Sequence, residues 1–260
     1  MARAILGPLT MRSTRADLTE EKRGSGCDMN SSSSPLPLLI SFSGLDGSGK
    51  STQIAHLRQF LHDRLLSTKL LAFWDDVVVL SRYREGFVHK VYGSQRGIGA
   101  PGSPVNRQDK NVRKWYLSVA RHLLYLLDAL HLVSVVAAAR RSGADVIIFD
   151  RYIFDELANL PLSNAGSRVF VRLIRALVPQ PDVAYLLDAD PEAARARKPE
   201  YPLAFLHFCR DSYFCLARML GNITIIPPLP LPEAQHEVVK ALALHLTGES
   251  DDPQHLDFAA

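Results

Sequence analysis

The chain has 260 residues, of which 47% are hydrophobic and 22% charged, and a formal net charge of +3. That is enough chain to bury a full core without disulfide or metal staples. The charge is too balanced to make nucleic acid or an anionic membrane the main partner. The three cysteines, Cys27, Cys209 and Cys215, have no C-x-x-C spacing. No disulfide framework or zinc signature is therefore expected, and a reducing, cytoplasmic setting is.

Residues 1–35 read as a disordered tail, with a four-serine run, mixed charge and little apolar periodicity. Charges throughout this stretch leave no apolar core for a secretory leader. The next run, 38–42, is short and apolar and ends before glycine, so a strand is expected there. Ile54, Leu57, Phe60 and Leu61 have helical spacing within 50–66. A second strand is expected at 69–73, and a loop rich in Gly, Ser and Pro at 94–107. A long helix should follow over 109–139. Its most apolar part, 123–139, is interrupted by Asp128 and His131. Those residues favour a buried helix over a membrane span.

Three more apolar strands are expected at 146–149, 183–187 and 223–226, with helices at 203–220 and 232–246. Continuous apolar strands alternating with helices predict an α/β fold, a parallel sheet covered on both faces. The folded domain is expected to span 36–246, and 247–260 reads as a loose C-terminal tail. Six residues, 227–232, are proline-rich. They read as a stiff connector, with a polyproline ligand as the alternative. Cys209 and Cys215 lie in an apolar-periodic stretch and are expected to pack in the core.

The segment Gly44-Leu45-Asp46-Gly47-Ser48-Gly49-Lys50-Ser51 fits G-x-x-x-x-G-K-[ST] without a gap, between an expected strand and an expected helix. Glycines let successive N–H groups converge on phosphate oxygens, and the helix N-terminus adds a favourable dipole. Gly44 to Thr52, residue by residue, are the candidate nucleotide-binding set. Lys50 supplies a cation to the β- and γ-phosphates, and the Ser51 hydroxyl is a Mg²⁺ ligand. Asp46 is an acid inside an anion-binding loop. It holds a metal-bound water, accepts from a substrate hydroxyl, or merely bonds local backbone.

Asp150 closes the third apolar strand, where ligands of α/β sheets bind. It is a candidate for Mg²⁺, directly or through water, or for orienting the attacking oxygen. Arg151 suits a bidentate clamp on an acceptor phosphate. A strand-end salt bridge is the plainer alternative for both. Arg195, Arg197 and Lys198 follow the fourth strand; they are either transition-state cations or a solvated basic face.

These motifs resemble one family. The run from Phe42 to Gln53 resembles the opening signature of thymidylate kinases, and 146–152, ending Asp150-Arg151-Tyr152, resembles their second. Residues 206–217, with Arg210, Asp211 and Tyr213, resemble the helix after the lid. The resemblance covers roughly 36–246. It implies a P-loop NTPase three-layer sandwich with a five-stranded parallel sheet, ATP and Mg²⁺ as donor system, and a small nucleoside monophosphate as acceptor. It places a lid near 191–202 carrying Arg195 and Arg197, and it allows a homodimer. Lys50, Asp46, Asp150, Arg151, Arg195 and Arg197 are the candidate catalytic residues.

The acceptor side departs from the family pattern. Phe73-Trp74-Asp75-Asp76 stands where the family carries Arg-Glu-Pro-Gly-Gly. Asp128 has no arginine beside it. Asp155, Glu156, Asn159 and Leu160 follow Tyr152 where the family uses Ser, Tyr and Gln. Arg82, Arg84 and Arg121 are the candidate substitutes for the missing phosphate ligand, with no motif behind any of them. Two added carboxylates, at 155 and 156, are expected to repel an anionic acceptor unless they face solvent or bind a sugar or amine. On this basis dTMP is the leading acceptor but is expected to be used poorly or not uniquely. The alternatives are a kinase of a nucleoside or other small hydroxyl compound, and a non-catalytic nucleotide-binding regulator.

Overall fold

Strand β1, Leu38–Gly44, is apolar on alternating sides because both of its faces are covered. Leu39 joins a core cluster with Ile147 and Phe149. Ile40 and Phe42 join another with Val146 and Ile148. This period-two division is that of a sheet sandwiched between helical layers. The structure is a computed structural model and describes residues 36–79 and 115–247. The expected tail at 1–35, the loop at 94–107, the stretch from Gly248, Cys27, Arg82 and Arg84 lie outside the described residues.

Helix α1 is Lys50–His62, β2 is Thr68–Ala72, and a π-helical turn follows at Phe73–Val77. Helix α2 is Trp115–Arg140, β3 is Val146–Asp150, and α3 is the short Ile153–Leu157. Then come α4 (Ala165–Leu177), β4 (Val183–Leu187), α5 (Pro191–Arg197), α6 (Leu203–Leu220), β5 (Ile223–Ile226) and α7 (Leu231–Thr247). The five strands are all parallel, in the order β2-β3-β1-β4-β5. Phe42 of β1 lies level with Asp150 of β3, and Gly44 level with Leu187 of β4. The carboxyl ends of the three central strands therefore meet at one edge, where the site is built.

Three expectations are corrected in detail. Helix α1 ends at His62, not near 66. Strand β2 stops at Ala72, because Phe73 opens the π-helical turn and the Asp76 carboxylate accepts from the Ala72 N–H at 2.7 Å. Helix α2 is buried on one face only. Tyr125, Ala129, Leu132, Val136 and Ala139 face the core, whereas Val119, Leu123, Leu127 and Leu130 are exposed.

By length and composition alone, Ser118–Arg140 would suffice to cross a membrane. Asp128, 0% exposed, accepts from the Val79 N–H at 2.8 Å, and His131 Nδ1 lies 2.7 Å from the Val77 carbonyl. The two polar interruptions of the apolar run thus fasten the segment that follows β2.

The proline-rich run is a connector. The Leu229 N–H donates to the Pro227 carbonyl at 2.8 Å, and α7 begins at Leu231, so no extended polyproline stretch forms. Cys209 is buried, Cys215 half-buried, and neither is in a disulfide.

Candidate active site

The phosphate loop begins where β1 ends. A side chain at Gly44 (φ +142°) would put its Cβ 2.5 Å from the Leu187 carbonyl oxygen. One at Gly47 (φ +84°) would meet the Ala194 carbonyl of α5 at 2.6 Å. Only glycine fits either place. The Ser48 N–H closes the turn on the Leu45 carbonyl at 3.1 Å. Beyond it, the first N–H groups of α1 have no intrahelical acceptor and face outward as a ready anion site.

Lys50 is buried. Its Nζ donates to the carbonyls of Gly44 (3.0 Å) and Leu45 (2.7 Å), curling back into the loop. Burial, with the nearby Arg151 charge, lowers its pKa to about 8, and Asp155, Asp46 and Asp150 only partly offset this. The Ser48 Oγ is buried without a hydrogen-bond partner. Together, the glycine cradle, a cation inside it and an orphaned hydroxyl fit a polyphosphate.

Opposite the cradle stands Arg151, in the left-handed region at φ +67°, a conformation that costs a non-glycine residue energy and is found at functional sites. Its guanidinium is held by two carboxylates. Nη2 donates to Asp46 of the phosphate loop, and Nη1 donates to Asp155 of α3 at 3.2 Å. Asp155 also accepts from Ser43 Oγ (2.7 Å), the Tyr213 hydroxyl (2.7 Å) and the Tyr152 N–H (3.2 Å). Burial works against the Arg151 charge, yet Asp155 and Asp46 outweigh it and hold the group firmly cationic. Burial also opposes the Asp46 charge, but Arg151, Lys50 and Lys198 hold its carboxyl below the usual range.

The remaining sequence candidates fall around this pair. Asp150 is partly buried at the end of β3, close enough to influence Lys50. Ser51 and Thr52 are exposed on the first turn of α1. Arg195 is partly buried on α5. Arg197 is exposed and turns back to donate to the Ala193 carbonyl at 3.2 Å. Helix α5 is started by Asp190, whose side chain accepts from the Ala193 N–H, with Pro191 in the first turn. Among the described residues, no group of three or more His, Cys, Asp or Glu side chains is placed to hold a metal unaided.

No family model matches the chain. A probable thymidylate kinase of Pyrobaculum aerophilum is 31% identical over 198 residues, covering 70% of this chain and 84% of that protein. The chain belongs to the thymidylate kinase family. Solved thymidylate kinases share its fold. That of Candida albicans has a TM-score of 0.55 at 19% identity, covering 82% of this chain and 94% of its own. That of Ehrlichia chaffeensis has a TM-score of 0.52 at 18% identity, covering 80% of this chain and all of its own.

For a member of the thymidylate kinase family, the acceptor side has an unexpected economy. Asp155 is turned into the Arg151, Ser43 and Tyr213 network. Glu156 is buried against the Tyr125 hydroxyl, whose pKa rises through burial and the Glu156 charge, with Asn159 also bonded to it. Both carboxylates are thus hydrogen-bonded to internal partners, Asp155 to the Arg151 cation and Glu156 to the Tyr125 hydroxyl.

Sequence reasoning missed Ser43 and Asp188. It quoted Tyr213 and Arg210 without giving them roles. Arg210 grips Asp188, just past β4, through two hydrogen bonds of 2.7 and 2.6 Å, beside Gly44 and Leu45. The spacing 210, 213, 214 on one face of α6 is the signal that links them.

Proposed function

We propose that the chain is a nucleotide kinase that moves the γ-phosphoryl group of ATP to a nucleoside monophosphate, with dTMP as the acceptor. The observation that carries this reading is the placement of a cationic Arg151 directly across from the glycine cradle and Lys50. One cation set suits the donor and the other suits an acceptor phosphate, at the carboxyl edge of a parallel sheet.

Gly44 to Thr52 cradle the ATP phosphates, and Lys50 swings from the loop carbonyls to the β- and γ-oxygens. The Ser51 hydroxyl and the Asp150 carboxylate are hard oxygen donors suited to Mg²⁺, which neutralises phosphate charge when bound. Asp46 orients a substrate hydroxyl or a metal-bound water. Arg151 clamps the acceptor phosphate, so the attacking oxygen approaches in line. Arg195 and Arg197 of the lid add charge stabilisation as the phosphoryl group departs. Cys209 and Cys215, neither of them in a disulfide, suit a reducing, cytoplasmic setting. The exposed apolar faces of α2 and α4 support a homodimer.

The test is steady-state turnover of ATP with dTMP, dUMP, UMP, CMP and unphosphorylated nucleosides. Production of dTDP at a kcat/KM at least equal to that for any other acceptor is the expected result. A protein that binds ATP and phosphorylates none of them would overturn the enzymatic reading. One that phosphorylates only the unphosphorylated nucleosides would move the acceptor from phosphate to hydroxyl.

A further inference from the structure

The two carboxylates on Arg151 differ in kind. Asp155 has 6% of its side chain exposed, and both of its oxygens are used twice. Oδ1 accepts from Arg151 and Tyr213, and Oδ2 accepts from Ser43 and the Tyr152 N–H. Those donors come from β1, α6 and the junction between β3 and α3, so Asp155 ties separate elements together. Asp46 has 24% of its side chain exposed and lies in the loop that must also receive phosphate. Its hydrogen bond is to Arg151.

We infer that Asp155 is the positioning residue for Arg151, and that Asp46 is the partner that yields when an anion reaches the guanidinium. This rests on the reading of Arg151 as the acceptor clamp. An incoming phosphate competes with a carboxylate for the same N–H groups. Removing Asp155 would strand the hydroxyls of Ser43 and Tyr213 and the Tyr152 N–H inside the protein, and stranded buried donors are costly. Parting Asp46 from Arg151 returns a partly exposed carboxylate to solvent or to a substrate hydroxyl, and the Nη2 donor it leaves is taken up by the incoming anion. The exchange therefore occurs on the Asp46 side. Asp155 meanwhile keeps Nη1 fixed and presents Nη2 to the ligand in one orientation. An arginine whose anchor stays in place loses little orientational freedom on binding, which is what a positioned group contributes to rate.

Two measurements test this. In the first, side-chain spectra of ¹⁵N-arginine-labelled protein follow exchange of the Arg151 Nη protons with water. Slow exchange is expected in the parent chain and in Asp46→Asn, and fast exchange in Asp155→Asn. Fast exchange in Asp46→Asn would overturn the inference even if Asp155→Asn does not fold. This readout needs no turnover, so it separates failure of the anchor from failure of the kinase reading.

In the second, kinetics are compared for Asp155→Asn, Arg151→Ala and the double variant. Asp155→Asn is expected to lower acceptor kcat/KM by roughly 10-fold or more while leaving the KM for ATP unchanged. It should add little to the loss already caused by Arg151→Ala. Equal effects on both substrates, or a fully additive double variant, would reduce Asp155 to a general stabiliser.

Discussion

Lys50 enters the site with its charge already weakened. Its pKa of about 8, against an ordinary 10.5, follows from burial first and from Arg151 second. The cationic form is the one a polyphosphate selects. Metal-free ATP affinity, read by calorimetry in a chelating buffer, is therefore expected to be flat below pH 8 and to fall above it. The fall is up to about tenfold per pH unit, with proton uptake on binding near pH 8. Stability runs the other way. A lysine whose folded pKa is depressed costs stability while both states are charged. That cost is relieved as pH rises from about 8 toward 10.5. Urea melts should show a gain over that window in the parent chain, and Lys50→Met should abolish it. Lys50→Ala is expected to remove about 10²–10³ of phosphoryl transfer, the usual worth of a cation aimed at developing charge; near-normal turnover in a folded variant would refute the cradle assignment.

Among elements, α5 carries the most direct prediction. Arg197 rests against its own helix, and Arg195 is only partly buried, so neither is committed to a fixed partner within the fold as Arg151 is. On the proposed reading, their contribution belongs to the transition state. Replacing both with Gln should lower kcat by more than it weakens ATP binding, and an unchanged kcat would make them a solvated basic face.

Elements of this kind were readable in the sequence because apolar continuity and glycine-bounded runs mark buried parallel strands. The P-loop was readable because its chemistry demands a contiguous motif. The anchor of Arg151 was not readable. Ser43 and Tyr213 lie 112 and 58 residues from Asp155, and nothing periodic joins them. The same holds for Asp128, whose partner is the N–H of Val79, 49 residues away. It read as a flaw in an apolar helix, although it is a fastening between two elements. Only the sheet order brings such residues together.

At the scale of the whole molecule, the sheet gathers the glycine-rich loop and Arg151 at one edge, while α2 and α4 carry exposed apolar side chains. Val119, Leu123, Leu127 and Leu130 share one stripe of α2, and Val169, Leu173 and Leu177 share one stripe of α4. Adjoining apolar surface on this scale marks an interaction site in a soluble protein. If a second copy covers it, light scattering will give twice the chain mass, and Leu123→Glu with Leu173→Glu will return the monomer with its catalytic constants within about threefold. A monomeric parent chain would defeat the homodimer proposal.

The contact between Gly47 and the Ala194 carbonyl has a consequence in time. If α5, which lies against the loop at Gly47, also covers the path of the nucleotide, the residence time of ADP is set by how often that helix lifts rather than by how tightly the cradle binds. Turnover would then be limited by release, as happens when covering elements move on the microsecond-to-millisecond scale. Asp190→Ala removes the cap that holds the first turn of α5 and should make the helix lift more often. Stopped-flow displacement of a fluorescent ADP analogue is expected to show faster release in that variant, with a smaller change in the rate of binding. An unchanged release rate would mean that nucleotides come and go while α5 stays where it is.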